Sequence, residues 1–151
     1  MFSTRPITGV SEFPDVAEAM VESGGELLLV GNGSPYYRGK FARRMNTMVA
    51  RVIENDVPMV YVNTVGGQDD QVFDGGSFVL NRGGRLAVQL PLFEECIAHV
   101  DFDRTETGWE AVEGRRDVFP DDWEQDYHVM VLALRDYMRK TGFKKVLLGL
   151  S

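Results

Sequence analysis

Only a few places in the chain carry side chains that could do chemistry: Ser34 with Lys40, Asp69 with Asp70, Cys96, His99, His128 and Ser151. Ser34 and Lys40 lie in one loop, Gly31-Asn32-Gly33-Ser34-Pro35-Tyr36-Tyr37-Arg38-Gly39-Lys40. A hydroxyl there can hydrogen-bond a polar substrate group, and an ammonium can neutralise a carboxylate. The plainer reading is that Ser34-Pro35 shapes a turn and Lys40 is a solvated helix-start residue, and spacing alone favours it. Asp69 and Asp70 follow Gly66-Gly67-Gln68, a polar stretch without the lysine or spacing of a phosphate-binding loop. Two adjacent carboxylates could ligate a cation but read better as a solvated turn, so no metal site is assigned. Cys96 sits in Phe93-Glu94-Glu95-Cys96-Ile97, where acidic neighbours disfavour the thiolate that a nucleophile needs. It reads as a buried or edge small hydrophobe. His99 and His128 are far apart and have no companion motif, so packing or surface roles are expected of them.

Composition limits the classes of function. With 151 residues, 44% hydrophobic and 26% charged, the chain can bury a sizeable core and is not a disordered tail. The formal charge of −7 comes without a basic stripe, so no nucleic-acid partner is expected. No apolar run approaches the ~20 residues of a membrane helix, and the first residues hold no apolar signal core. The single cysteine cannot form an internal disulfide and suits a cytoplasmic protein.

The elements that must position these residues follow from periodicity. Pro14 and Asp15 suit a first helical turn, Val16, Met20 and Val21 recur at helical spacing, and Gly24-Gly25 stops the helix. Residues 26–30 form a short apolar run expected to be a strand buried on both faces. After the loop, Phe41, Met45, Met48, Val49, Val52 and Ile53 mark the apolar face of a long helix. Arg43, Arg44, Thr47 and Arg51 read as its solvated side. Residues 58–63 make a second strand. Two further strands, at 75–80 and 85–90, flank Asn81-Arg82-Gly83-Gly84, a hairpin signal. Another strand is expected at 97–102, then an aperiodic linker at 103–119. A helix beginning near Pro120-Asp121-Asp122 shows an apolar face of Val131, Leu134, Tyr137 and Met138 and ends at Gly142. Residues 144–150 read as a strand with nothing after it, as if the chain were cut there.

Several segments, in order, resemble the glutamine-dependent NAD+ synthetases: Phe13-Pro14-Asp15-Val16-Ala17-Glu18, Asn32-Gly33-Ser34-Pro35-Tyr36 with Arg38-Gly39-Lys40, Tyr61-Val62-Asn63-Thr64-Val65-Gly66-Gly67-Gln68-Asp69-Asp70, Val72-Phe73-Asp74-Gly75-Gly76-Ser77-Phe78-Val79-Leu80, Leu134-Arg135-Asp136-Tyr137 and Gly142-Phe143-Lys144-Lys145-Val146-Leu147-Leu148-Gly149-Leu150-Ser151. The resemblance spans residues 13–151. It implies an α/β fold: a partial nitrilase-like α-β-β-α sandwich at 13–102, a linker at 103–119, and at 120–151 the first helix and strand of a doubly wound adenine-nucleotide α-hydrolase-like domain. It further implies a fragment of an ATP-dependent carbon–nitrogen ligase that amidates deamido-NAD+ with ammonia from glutamine. The full-length enzyme would use ATP and Mg2+ and would form a homo-oligomer, whereas no cofactor is expected for the fragment.

By the same resemblance Ser34 and Lys40 contact glutamine, and Ser151 opens the Ser-Gly-Gly-x-Asp-Ser nucleotide loop. In such enzymes a cysteine attacks the amide, a glutamate acts as base and acid, and a lysine steadies the oxyanion. The glutamate and lysine lie upstream of the matching region. The cysteine position falls on Thr8, so no catalytic residue is assigned. Residues 1–12 are a foreign start, or a natural domain has lost its nucleophile, or Thr8 acts instead; the first is favoured. The chain alone is therefore expected to be inactive. The alternative is a non-catalytic nitrilase-like binding or assembly module, and an ordinary amidase ranks third.

Overall fold

A computed structural model describes residues 16–149. The expectations at Thr8, Pro14 and Ser151 lie outside the described residues. The elements run α1 (Val16–Glu22), β1 (Leu28–Asn32), α2 (Lys40–Asn55), β2 (Met59–Asn63), β3 (Val65–Gln68) and β4 (Gln71–Asp74). They continue with β5 (Phe78–Asn81), a 3-10 turn (Arg82–Gly84), β6 (Arg85–Gln89), β7 (Phe102–Thr105), β8 (Gly108–Ala111) and α3 (Asp122–Thr141).

A four-stranded sheet in the order β1-β2-β5-β6 organises the molecule. β1 and β2 are parallel, and β5 is antiparallel to both β2 and β6. Alternate residues of a strand face opposite sides, so the sheet presents two apolar faces. One carries Leu28, Met59, Tyr61, Phe78 and Leu80, covered by Val52, Met45, Met48 and Val49 of α2 and by Ala17 and Val21 of α1. Tyr61 and Phe78 stack with ring centroids 4.9 Å apart. The other face carries Val79, Ala87 and Val88, covered by Ala111, Val100 and Phe102. Asn81 fastens that cover: its Oδ1 accepts from Ala111 N at 2.8 Å and its Nδ2 donates to Ala111 O at 2.9 Å.

The cover does not reach β1. Leu29 is 75% exposed and Val62 faces solvent beside it, so β1 is buried on one face rather than two. On α2 the buried stripe is rotated from the expected one: Ile53 is exposed and Arg44 is buried. Residues 65–74 form the β3–β4 hairpin rather than a loop, with Asp69 in the left-handed region at its turn (φ 53°). Residues 97–101 form no strand: Ile97 is 92% exposed, and pairing begins only at the end of the stretch, where Asp101 O accepts from Val112 N at 2.9 Å before β7 starts at Phe102. Cys96 is exposed, against the expectation of burial. The aperiodic stretch 103–119 holds most of the β7–β8 hairpin and then runs beside β6, where Gly114 N donates to Ala87 O and Gln89 N to Arg115 O. Among the described residues no helix is long and apolar enough to cross a membrane.

α3 begins and ends where its caps require. Asp121 accepts from Glu124 N at 2.9 Å, and Gly142, at φ 81°, donates its N–H to Met138 O. Its expected apolar face, however, points outward at Val131, Leu134 and Tyr137, while Leu132 is buried. The helix docks through polar groups on β3 instead. Gly67 N donates to Asp136 Oδ2 at 2.8 Å, and Lys140 Nζ donates to Gly67 O at 2.6 Å. After Gly142, residues 143–149 lie in no helix or strand, and Leu147 and Leu148 are exposed.

Gly67 permits this docking, because a Cβ there would stand 3.2 Å from Ala133 Cα and 3.4 Å from Asp136 Cβ. Gly67→Val should therefore cost about 1–3 kcal/mol in urea unfolding, the range of overpacked sites. Gly31→Ala, which meets nothing within 4 Å, should stay within about 0.5 kcal/mol.

Candidate functional site

The parallel strands β1 and β2 end side by side at Asn32 and Asn63. The chain then folds back over their ends, and Tyr36 N donates to Val72 O at 2.7 Å. Ser34 is nearly buried in this fold-back. Its main chain is held by side chains rather than by a strand ladder. Ser34 N donates to Asn63 Oδ1 at 2.8 Å, and Ser34 O accepts from Asn63 Nδ2 at 3.2 Å and Arg44 Nη2 at 3.3 Å.

The same two side chains grip the end of β4. Arg44 Nη2 and Asn63 Nδ2 donate to Asp74 Oδ1 at 2.8 and 3.1 Å, and Arg44 Nη1 and Asn63 Nδ2 both donate to Gly75 O at 3.1 Å. Ser77 Oγ accepts from Asn63 N at 3.0 Å. The Arg44 and Asp74 side chains are 2% and 1% exposed, so this is a buried ion pair, and Arg44 Nη1 and Nη2 also bond the backbone carbonyls of Gly75 and Ser34. The sequence reading placed Arg44 on the solvated side of α2, and the structure overturns that. The signal was available: Arg44 lies three residues after Phe41 and four before Met48, so helical spacing sets it on the apolar stripe. Asn63, Asp74 and Ser77 stand inside the segments that carry the family resemblance, but nothing local marked them as partners.

The Ser34 hydroxyl makes no hydrogen bond among the described residues. Lys40 starts α2 just after Gly39, which is left-handed at φ 78°. Its Nζ stands 4.6 Å from the ring centroid of Tyr37, whose hydroxyl accepts from Arg43 Nη1 at 3.4 Å. That hydrogen bond, with the nearby Lys40 charge, pulls the Tyr37 phenol below its ordinary value. Ser34 and Lys40 thus share one loop, with the cations Arg38, Lys40 and Arg43 along its outer part.

α3 holds the loop from outside. Tyr36 Oη donates to Asp126 Oδ1 at 2.8 Å, Arg38 pairs with the same carboxylate, and the Arg38 guanidinium lies 4.4 Å from the Trp123 ring. The hydrogen bond from Arg38, followed by that from Tyr36, holds the Asp126 carboxyl below the usual range. Burial, then the bond to Asp126, pushes the Tyr36 phenol well above its ordinary value. Phe93, at φ 61°, contacts Tyr36 and stacks on His128, with centroids 5.9 and 5.7 Å apart.

The other sequence candidates stand apart from Ser34 and Lys40. Asp69 and Asp70 form the β3–β4 turn, and His99 is exposed. Cys96 borders a cavity of about 450 Å3 with Asn63, Gly75, Ser77 and Glu95, which neither Ser34 nor Lys40 lines. Among the described residues no cluster of His, Cys, Asp and Glu is placed to hold a metal ion.

Comparison with known proteins places this arrangement. The carbon-nitrogen hydrolase family profile matches residues 10–108, and the chain belongs to that family. Within it, a glutamine-dependent NAD(+) synthetase from Rhodobacter capsulatus is 53% identical over 146 residues, covering 97% of this chain and 26% of that protein. Another, from Acinetobacter baylyi, is 39% identical over 126 residues, covering 83% of this chain and 23% of that protein. The crystallised glutamine-dependent NAD+ synthetase of Acinetobacter baumannii, in complex with ADP, superposes with TM-score 0.75 at 37% identity over 85% of this chain and 24% of that one. The resemblance drawn from the motifs is thus shown, and the chain spans about a quarter of the length of these relatives.

Two outcomes follow from the site. Arg44→Ala should lower stability by about 3–5 kcal/mol in urea unfolding, because it strands the Asp74 charge. Asp126, whose folded-state carboxyl is depressed, contributes fully above the ordinary carboxylate range, and its contribution fades as pH falls through the depressed value. In a Trp109→Phe background, Trp123 emission should therefore shift on acidification below about pH 4. The part of the shift that Asp126→Asn removes is the part due to Asp126.

Proposed function

We propose that this chain is the glutamine-side segment of a glutamine-hydrolysing NAD+ synthetase, with the loop from β1 to α2 contributing to the glutamine site. The observation that carries the reading is the 53% identity sustained over 146 residues, which includes the Ser34 loop and α3. Ser34 offers a hydroxyl that meets no partner among the described residues, on a main chain held by Asn63 and Arg44. Lys40 offers a charge for the α-carboxylate of an amino acid. The whole enzyme would amidate deamido-NAD+ in an ATP-dependent reaction in the cytoplasm, with residues 120–151 opening the synthetase domain and Ser151 at the rim of its nucleotide loop. ATP and Mg2+ belong to that larger protein. The described residues do not fit them, since 143–149 form no strand-to-helix turn that could cradle a phosphate.

The part of this chain's own residues is binding and orientation. The buried ion pair fixes the Ser34 main chain, the hydroxyl meets a polar group of glutamine, and Lys40 with its cationic neighbours attracts the carboxylate. The glutamate, lysine and cysteine that carry out hydrolysis in such enzymes have no counterpart assigned here. Purified chain incubated with glutamine should release no ammonia, and a steady release abolished by Thr8→Ala would sink this reading. Glutamine affinity, measured by calorimetry, should fall about tenfold in Ser34→Ala, as expected for one lost hydrogen bond.

A second reading, an assembly module, draws on the exposed stripe of Trp123, Tyr127, Met130, Leu134 and Tyr137 along α3. Contiguous apolar surface of this kind marks contact sites. A monomer in sedimentation at high concentration would remove it.

A further inference from the structure

The fold explains how Ser34 is held, but stability alone does not explain why a charge pair holds it. Removing two ions from water costs several kcal/mol each, and well-packed apolar residues in their place are often neutral or stabilising. The arrangement is also not tuned for stability in detail, because Arg44 Nε is buried and meets no acceptor among the described residues. What the pair does supply is direction. A guanidinium fork can bond two carbonyls and a carboxylate at fixed angles, which no apolar side chain can do.

Its acceptors are informative. Arg44 bonds Ser34 O, Gly75 O and Asp74 Oδ1, and Asn63 Nδ2 bonds the same three atoms. Asp74 therefore fixes the orientation of the Asn63 amide, and with it the Oδ1 that accepts Ser34 N at 2.8 Å. Both polar groups of the Ser34 backbone are then set by side chains of α2 and β2, while its hydroxyl makes no hydrogen bond among the described residues. Buried brackets of this kind aim a residue as well as hold it.

We propose that Arg44, Asp74 and Asn63 are positioning residues for Ser34: their buried bracket fixes the Ser34 main chain so that its hydroxyl points at ligand. The role in glutamine recognition rests on the function proposed above, whereas the bracketing of Ser34 does not.

The test uses the full chain and three variants: Arg44→Met with Asp74→Leu together, Arg44→Lys alone, and Ser34→Ala. Amide hydrogen exchange at position 34, thermal unfolding and L-glutamine binding are measured for each. In the double variant and in Arg44→Lys, exchange at Ser34 should rise about a hundredfold, as for a locally opened segment, while the sheet amides of β2 and β5 keep their protection. Glutamine affinity should fall at least about tenfold in both. Ser34→Ala should lose affinity with the amide at position 34 still protected. Arg44→Lys keeps a charge beside Asp74, so it reports even if the double variant unfolds. Unchanged exchange at Ser34 in Arg44→Lys overturns the proposal. Exchange that rises while affinity stays at the parent value overturns the link from bracket to ligand. A parent chain that binds no glutamine, with exchange rising as expected, leaves the bracket standing and overturns the proposed substrate instead.

Discussion

The Arg44–Asp74 pair is the constraint on which the rest of this structure depends. Two opposite charges at 2.8 Å, almost wholly removed from water, are tolerable only if every geometry around them is kept. That requirement reaches into four segments at once. α2 must bring Arg44 inward, β2 must end at Asn63, β4 must end at Asp74, and the loop after β1 must present the Ser34 carbonyl. Arg44 can point inward only because Phe41 and Met48 on the same stripe pack against the sheet and its surroundings. The apolar core and the polar bracket are thus two parts of one packing arrangement, with the helix as their common support.

The sequence was most legible where the signals are local. The 3-10 turn between β5 and β6 follows from Asn81-Arg82-Gly83-Gly84, with Gly83 and Gly84 left-handed as such turns require. The bounds of α3 follow from Asp121 and Gly142, which cap it immediately before its first residue and after its last. Ser34 and Lys40 stood out only through family resemblance. Arg44 was misread for a different reason: its spacing to Phe41 and Met48 marked the apolar stripe, but a cation on a helix is normally solvated and the aspartate that makes its burial tolerable lies 30 residues away. The β3–β4 hairpin was obscured by Gly66, Gly67 and Gln68, which have little preference for strands and are held there by α3. The outward face of α3 was misread because periodicity finds an apolar stripe but cannot say whether the chain covers it.

Polar and apolar satisfaction are unevenly distributed as a result. Asn63, Asp74 and Asn81 are buried and bonded within the described residues. Leu29 and Val62 on the sheet, and Trp123, Tyr127 and Met130 on α3, remain exposed. Exposed single apolar residues are ordinary, but neighbours along one strand pair and one helix stripe are not. The relatives are about four times as long as this chain, so they have ample polypeptide to bring against such faces, whereas the bracket around Ser34 needs nothing more than this chain supplies.

The Ser34 loop is therefore held from two sides by contacts of different character. Inside, Arg44 and Asp74 are shielded from solvent ions, and their attraction is little screened. Outside, Arg38 and Asp126 are partly solvated, so salt within its screening length of about 8 Å at physiological strength weakens them. The outer contact also depends on α3 staying docked, which in turn depends on Asp136 and Lys140 at Gly67. Any movement of α3 reaches Tyr36 and Arg38 first, two and four residues from Ser34. The Ser34 main chain itself is bonded only to the inner groups, Asn63 and Arg44, so the contact nearest Ser34 is the one least weakened by salt.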